Sequence, residues 1–145
     1  VRIVNGYYVN PRTGGRIGNL TYQKKMSETP DSVLADSGVV LMSMQNKSLG
    51  WTIRDFGPLY VPKSGDAISI DIDNYRLWRK PVLFETGRLL SLRGGQVFLG
   101  DEPITSYTFR TDWYFLGGDN VLDSRDSRYI GLFPESYIIG VACDR

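Results

Sequence analysis

Turn-forming residues punctuate this chain so closely that long regular elements have little room. Its 145 residues include 16 glycines and 7 prolines, and the runs between them are short, with apolar and polar positions alternating. A two-residue period is what a strand with one buried face requires, and helical periodicity is scarce. The fold class expected is therefore mainly β, a complex arrangement of antiparallel hairpins with one short helix. Asn5-Gly6, between residues 1–4 and 7–9, predicts a hairpin, because a type I′ turn demands positive φ at both central positions. Gly94-Gly95, between Leu90-Ser91-Leu92-Arg93 and Gln96-Val97-Phe98, predicts a second hairpin of the same form, a weak internal repeat. Thr29-Pro30-Asp31-Ser32, followed by Val33-Leu34-Ala35 and Gly38, carries the cap, the early proline and the terminal glycine of the one helix. Ile68, Ile70 and Ile72 alternate with Ser69, Asp71 and Asp73 as in a strand with one wet face. Further strands are expected over 39–44, 50–53, 89–92, 96–99, 107–110, 113–116, 129–133 and 137–142.

Composition removes several functions. The 17 basic and 16 acidic residues nearly cancel and form no block, so the electrostatic footprint of a nucleic-acid binder is missing. There is no histidine, which takes away His-assisted serine and cysteine mechanisms and most zinc sites. No cofactor and no metal are expected, and any catalysis must rest on Lys, Tyr, Asp, Glu or Ser. The single Cys143 has no partner for a disulfide. No apolar run approaches the roughly 18 residues of a membrane-spanning helix, and the Val1-Arg2-Ile3-Val4 start does not resemble a signal peptide. The length predicts one domain over 1–145.

The most informative stretch is Gly118-Asp119-Asn120-Val121-Leu122-Asp123-Ser124-Arg125-Asp126-Ser127-Arg128, continuing as Tyr129-Ile130-Gly131. It follows glycines, is packed with short acceptors and hydroxyls, and leads back into apolar residues. Such loops bond to themselves through Asp, Asn and Ser side chains. Asp126 and Arg128 are close enough for a charge-assisted pair that would fix the directions of Ser124 and Ser127. On residue chemistry alone, a well-bonded surface loop is the favoured reading and a functional site the alternative.

This box resembles the last box of type I signal peptidases: Gly-Asp-Asn, two variable residues, Asn-Ser, one variable residue, Asp-Ser-Arg, then Tyr, an aromatic residue and Gly. Gly118, Asp119, Asn120, Ser124, Asp126, Ser127, Arg128, Tyr129 and Gly131 fall at the matching offsets. Pro62-Lys63-Ser64-Gly65-Asp66-Ala67-Ile68 resembles the family's Gly-Asp box, and Phe133-Pro134-Glu135 with Ile139-Gly140 adds to the likeness. The resemblance reaches back to about residue 57 and leaves 12–56 as an insertion. It implies a membrane-anchored serine protease in which an unprotonated lysine activates a serine. Ser124 would orient that lysine, Asp126 and Arg128 would form a supporting salt bridge, and Gly118, Asp119, Asn120 and Ser127 would belong to the structural box. The implied partners are preprotein signal peptides, bound as an added strand, and a membrane reached through an upstream anchor, at the extracytoplasmic face of the cytoplasmic membrane.

The family's Ser-Met-x-Pro nucleophile box is absent, since Ser43-Met44-Gln45-Asn46 shares two residues with it and lacks the proline. The stretch from Lys80 to Arg88 aligns with the family's lysine box but replaces its Arg, Pro and Asp. The expectation is that the true Ser and Lys precede Val1. Lys80 is then a relic on a solvated strand edge beside Arg76, Trp78 and Arg79, with a role as the base as the alternative. Asp123, where the family has Asn, places a carboxylate that would raise the lysine's pKa. A non-catalytic peptide-binding or assembly module is the second reading. Trp51, Phe56, Leu59, Tyr60, Trp113, Tyr114 and Phe115 are candidates for a membrane-apposed patch, although core packing is the expectation for most of them.

Overall fold

A computed structural model describes residues 1–36, 49–120 and 123–142. The strand expected over 39–44, Gly38, Ser43, Val121, Leu122 and Cys143 lie outside the described residues. The chain divides into two compact units, Val1–Tyr60 with Phe115–Gly131, and Val61–Tyr114 with Leu132–Arg145.

In the first unit, Asn5 and Gly6 have φ of 45° and 80°, and the turn they make joins β1 (Arg2–Val4) to β2 (Tyr7–Val9). Ile3 lies opposite Tyr8, and on its other side it pairs with Phe56 through two backbone hydrogen bonds of 2.8 and 3.0 Å. Gly6 is also packed: a Cβ there would lie 2.9 Å from Met26 Cγ. Helix α1 (Leu20–Glu28) is a departure from the single expected helix, and its start is set by Asn19, whose side chain accepts from the Thr21 N–H at 3.1 Å. Gln23 faces inward and is satisfied at both ends of its amide, accepting from Tyr8 N at 2.9 Å and donating to Ile17 O at 2.7 Å. Helix α2 (Asp31–Asp36) begins after Pro30, as the proline signal predicted. Residues 50–53 form no strand, because Thr52 and Asp55 close a tight turn on each other. Ile3, Tyr7, Met26, Leu34, Phe56 and Leu59 are buried.

The second unit contains α3 (Tyr75–Thr86), a helix where a solvated strand edge was expected. The helix starts in a reciprocal polar turn, Asp71 Oδ1 accepting from the Asp73 and Asn74 N–H groups and Asn74 Oδ1 from that of Asp71. It stops at Gly87, whose φ of 69° is the left-handed conformation that ends helices. Pro81 inside it hides the helical period, yet Leu77, Trp78, Pro81 and Val82 are all buried on one side. A second hairpin follows as the glycine pair predicted, β4 (Leu90–Arg93) with β5 (Gln96–Leu99), extended by β6 (Glu102–Pro103). Strand β3 (Ala67–Ser69) pairs antiparallel with β7 (Ser106–Thr108), and β8 (Trp113–Tyr114) with β9 (Phe133–Pro134). The isoleucine run is shorter than expected, since the polar turn at Asp71 ends it and leaves Ile72 exposed. Residues 137–142 form no ladder among the described residues. Their first position closes a 3-10 turn, Glu135–Tyr137. Trp78, Phe109 and Trp113 meet edge to face, with centroids 5.7 and 6.5 Å apart, inside a core that includes Val82, Leu90 and Val97.

The architecture is mainly β, a set of antiparallel sheets with a few short helices. Of the aromatics proposed for a membrane patch, Phe56 and Trp113 are buried, as is Leu59, whereas Tyr60 and Tyr114 are exposed.

Candidate functional site

The polar box folds around one carboxylate. Asp126 caps α4 (Ser127–Ile130), a helical turn standing where a strand over 129–133 was expected. The cap explains the difference, since Asp126 Oδ1 takes the Arg128 N–H at 3.1 Å and turns the backbone into a helix. The same oxygen accepts from Arg128 Nε at 2.8 Å, while Oδ2 accepts from Arg128 Nη2 at 2.7 Å and from the Gly118 N–H at 2.8 Å. The guanidinium is thus held by two parallel bonds while only 1% exposed. Burial acts to lower the Arg128 pKa, but its hydrogen bond to Asp126 and the neighbouring groups raise it overall, so the guanidinium stays charged.

Ser127 closes the base of the loop. Its N–H donates to Leu116 O at 3.0 Å, and its Oγ accepts from the Leu116 N–H at 2.8 Å. Ser124 is half-buried and donates from Oγ to Asn120 O at 2.7 Å. Gly118 is a glycine for a steric reason: a Cβ would lie 2.5 Å from Ser124 Cβ and closer still to its Oγ. Asp119 is exposed, and its carboxylate accepts from the Asn120 N–H at 2.8 Å. Gly118, Ser124, Asp126, Ser127 and Arg128 are therefore brought together, with the Ser124 hydroxyl beside the ion pair's glycine. Lys80 lies in the second unit, exposed on α3. It is helical, not on the strand edge expected for it, because the capped turn at Asp71 and the apolar face beginning at Tyr75 commit that segment to a helix.

Two participants escaped the sequence reading. Tyr8 on β2 puts a buried hydroxyl into the cluster. Its pKa is pushed up to about 12 by burial; Arg128 pulls it down, and Asp126 and Tyr129 push it up. Gly117 is the other: a Cβ on it would lie 2.8 Å from the Tyr8 hydroxyl oxygen. The one signal for this in the sequence is the doubled glycine ahead of Asp119.

The family described as Signal peptidase, peptidase S26 matches residues 64–143, more than half of the chain. This chain belongs to the signal peptidase family, peptidase S26. No curated protein and no solved structure matches it. Among the described residues, no helix is long and apolar enough to cross a membrane.

Proposed function

We propose that this chain is the extracytoplasmic portion of a type I signal peptidase that removes signal peptides from translocated preproteins with a Ser–Lys dyad. The observation that carries the reading is the family match together with the closed geometry of its last box, where the buried Asp126–Arg128 pair holds Gly118 against Ser124. In this reading Ser124 orients the lysine amine, so that its lone pair faces the nucleophilic serine. Asp126 and Arg128 hold the loop that carries Ser124. The Ser-Met-x-Pro box is not in this sequence, and the reading assigns nucleophile and base to sequence upstream of Val1 in the parent protein. Lys80 is exposed on α3, and the reading gives it no part in the reaction. The parent is anchored in the cytoplasmic membrane, and its substrate adds as an extended strand.

The test is cleavage of a signal-peptide substrate by the full-length parent. Ser124→Ala is expected to lower kcat by about a hundredfold, the lower range for a group that serves proton transfer, and Lys80→Ala to leave it unchanged. Wild-type rates in Ser124→Ala would refute the role given to Ser124. A parent that binds the peptide and never cuts it is instead the non-catalytic module.

A further inference from the structure

We propose that Tyr8 is a positioning residue for Ser124, acting through the Gly117-Gly118 backbone and the Asp126–Arg128 ion pair. The inference rests on the reading of Ser124 as the group that orients the dyad lysine.

Tyr8 is itself firmly placed. Its N–H donates to Gln23 Oε1 at 2.9 Å, its carbonyl accepts from the Ile17 N–H at 3.0 Å, and its ring meets the Phe115 ring edge-on, with centroids 6.4 Å apart. The hydroxyl ends against Gly117, where an added Cβ would lie 2.8 Å from the oxygen and 3.1 Å from Cζ. The next residue, Gly118, makes the same kind of approach to Ser124, with its N–H fixed by Asp126 Oδ2 at 2.8 Å. Two successive positions therefore have no room for a side chain, the first because of the tyrosine and the next because of the serine. A shift of the first is passed to the second through a planar peptide.

The oxygen is the part of Tyr8 that packing does not explain. It is buried and has no hydrogen-bond partner, and a phenylalanine ring would fill the same space beside Phe115 without burying an unpaired hydroxyl. Arg128 Nη1 is likewise buried without a partner. The phenol is neutral near pH 7, as any tyrosine is, so beside the ion pair it is a dipole and not a second anion. Losing the oxygen opens space beside Gly117 and removes that dipole, and both changes loosen the backbone on which Ser124 rests.

Tyr8→Phe, Ser124→Ala and the double variant are compared in the full-length peptidase on a signal-peptide substrate. Tyr8→Phe is expected to lower kcat by about tenfold with KM unchanged, as for a misplaced catalytic group. In the Ser124→Ala background it should cause no further loss. Gly117→Ala, which pushes on the same hydroxyl, should lower kcat in the same way, and thermal melting checks that each variant is folded. Wild-type kcat in Tyr8→Phe, or losses that multiply in the double variant, would overturn the inference while leaving the role of Ser124 intact. Wild-type kcat in Ser124→Ala would remove the reading on which it rests.

Discussion

Asp126 collects four hydrogen bonds, three of them from Arg128 and one from Gly118. Replacing it with Asn keeps the shape but leaves a buried guanidinium without a counter-charge. Breaking a buried pair from one side costs about 3–5 kcal/mol, whereas removing both charges is often close to neutral. Asp126→Asn should therefore lose that much stability in urea denaturation of the chain, and adding Arg128→Met should restore part of it. A double variant less stable than Asp126→Asn would show that the pair is not what holds the loop. Tyr8 gives a pH prediction with a definite sign. Its folded pKa is raised from 10.0 to about 12 by burial, so the unfolded chain ionises first. The contribution is complete below pH 10 and is lost as the pH rises through about 12. Tyr8→Phe should flatten the fall in stability over that alkaline window, and an unchanged slope would mean that the phenol is not perturbed.

One carboxylate on α3, that of Glu85, gathers polar groups from β7 and the segment after it. Glu85 accepts from Tyr107 Oη at 2.7 Å, Trp113 Nε1 at 2.9 Å, and the Arg110 and Thr111 N–H groups at 2.9 and 3.2 Å. Burial, and then the bond to Glu85, raise the Tyr107 pKa. Glu85→Ala leaves these donors without their acceptor, at a cost of about 1–3 kcal/mol for each group that water cannot reach. Amide exchange at Arg110 and Thr111 should accelerate, and unchanged protection there would show that other contacts fix the segment. The elements that could be read from the sequence are those set by short-range turn chemistry. Asn5-Gly6 and Gly94-Gly95 each demand a tight turn, and both hairpins form. Helix α3 was hidden because Pro81 sits in its middle and a row of Arg and Lys breaks up the apolar pattern. Strand ends were misplaced wherever a side-chain cap intervened, at Asp71 after β3 and at Asp126 before α4. The Gly118–Arg128 box was legible because its bonds run between near neighbours in sequence. Tyr8 was not, since its approach to Gly117 depends on the fold of the whole first unit.

At the scale of the whole chain, the residues that match the family and the residues that support the box are not the same set. The match begins at residue 64, yet the first unit holds Phe115–Gly131, and the box within it, together with the β1–β2 hairpin, which lies outside the match. The hairpin's Phe56 partner packs against Phe115 with the rings tilted and their centroids 5.9 Å apart, so this early sequence buttresses the segment leading into the box. In the proposed reading the residues that support Ser124 lie in this chain and the reactive pair it would serve does not, since the sequence carries no Ser-Met-x-Pro box and Lys80 is exposed. A chain with that division should fold and not cut. Incubated with a signal-peptide substrate in detergent, the 145-residue chain is expected to yield no product by mass spectrometry above a buffer control. The full-length parent should cleave the same peptide. Robust cleavage by the short chain, abolished by Lys80→Ala, would put the base on α3 and overturn the placement of the dyad upstream of Val1.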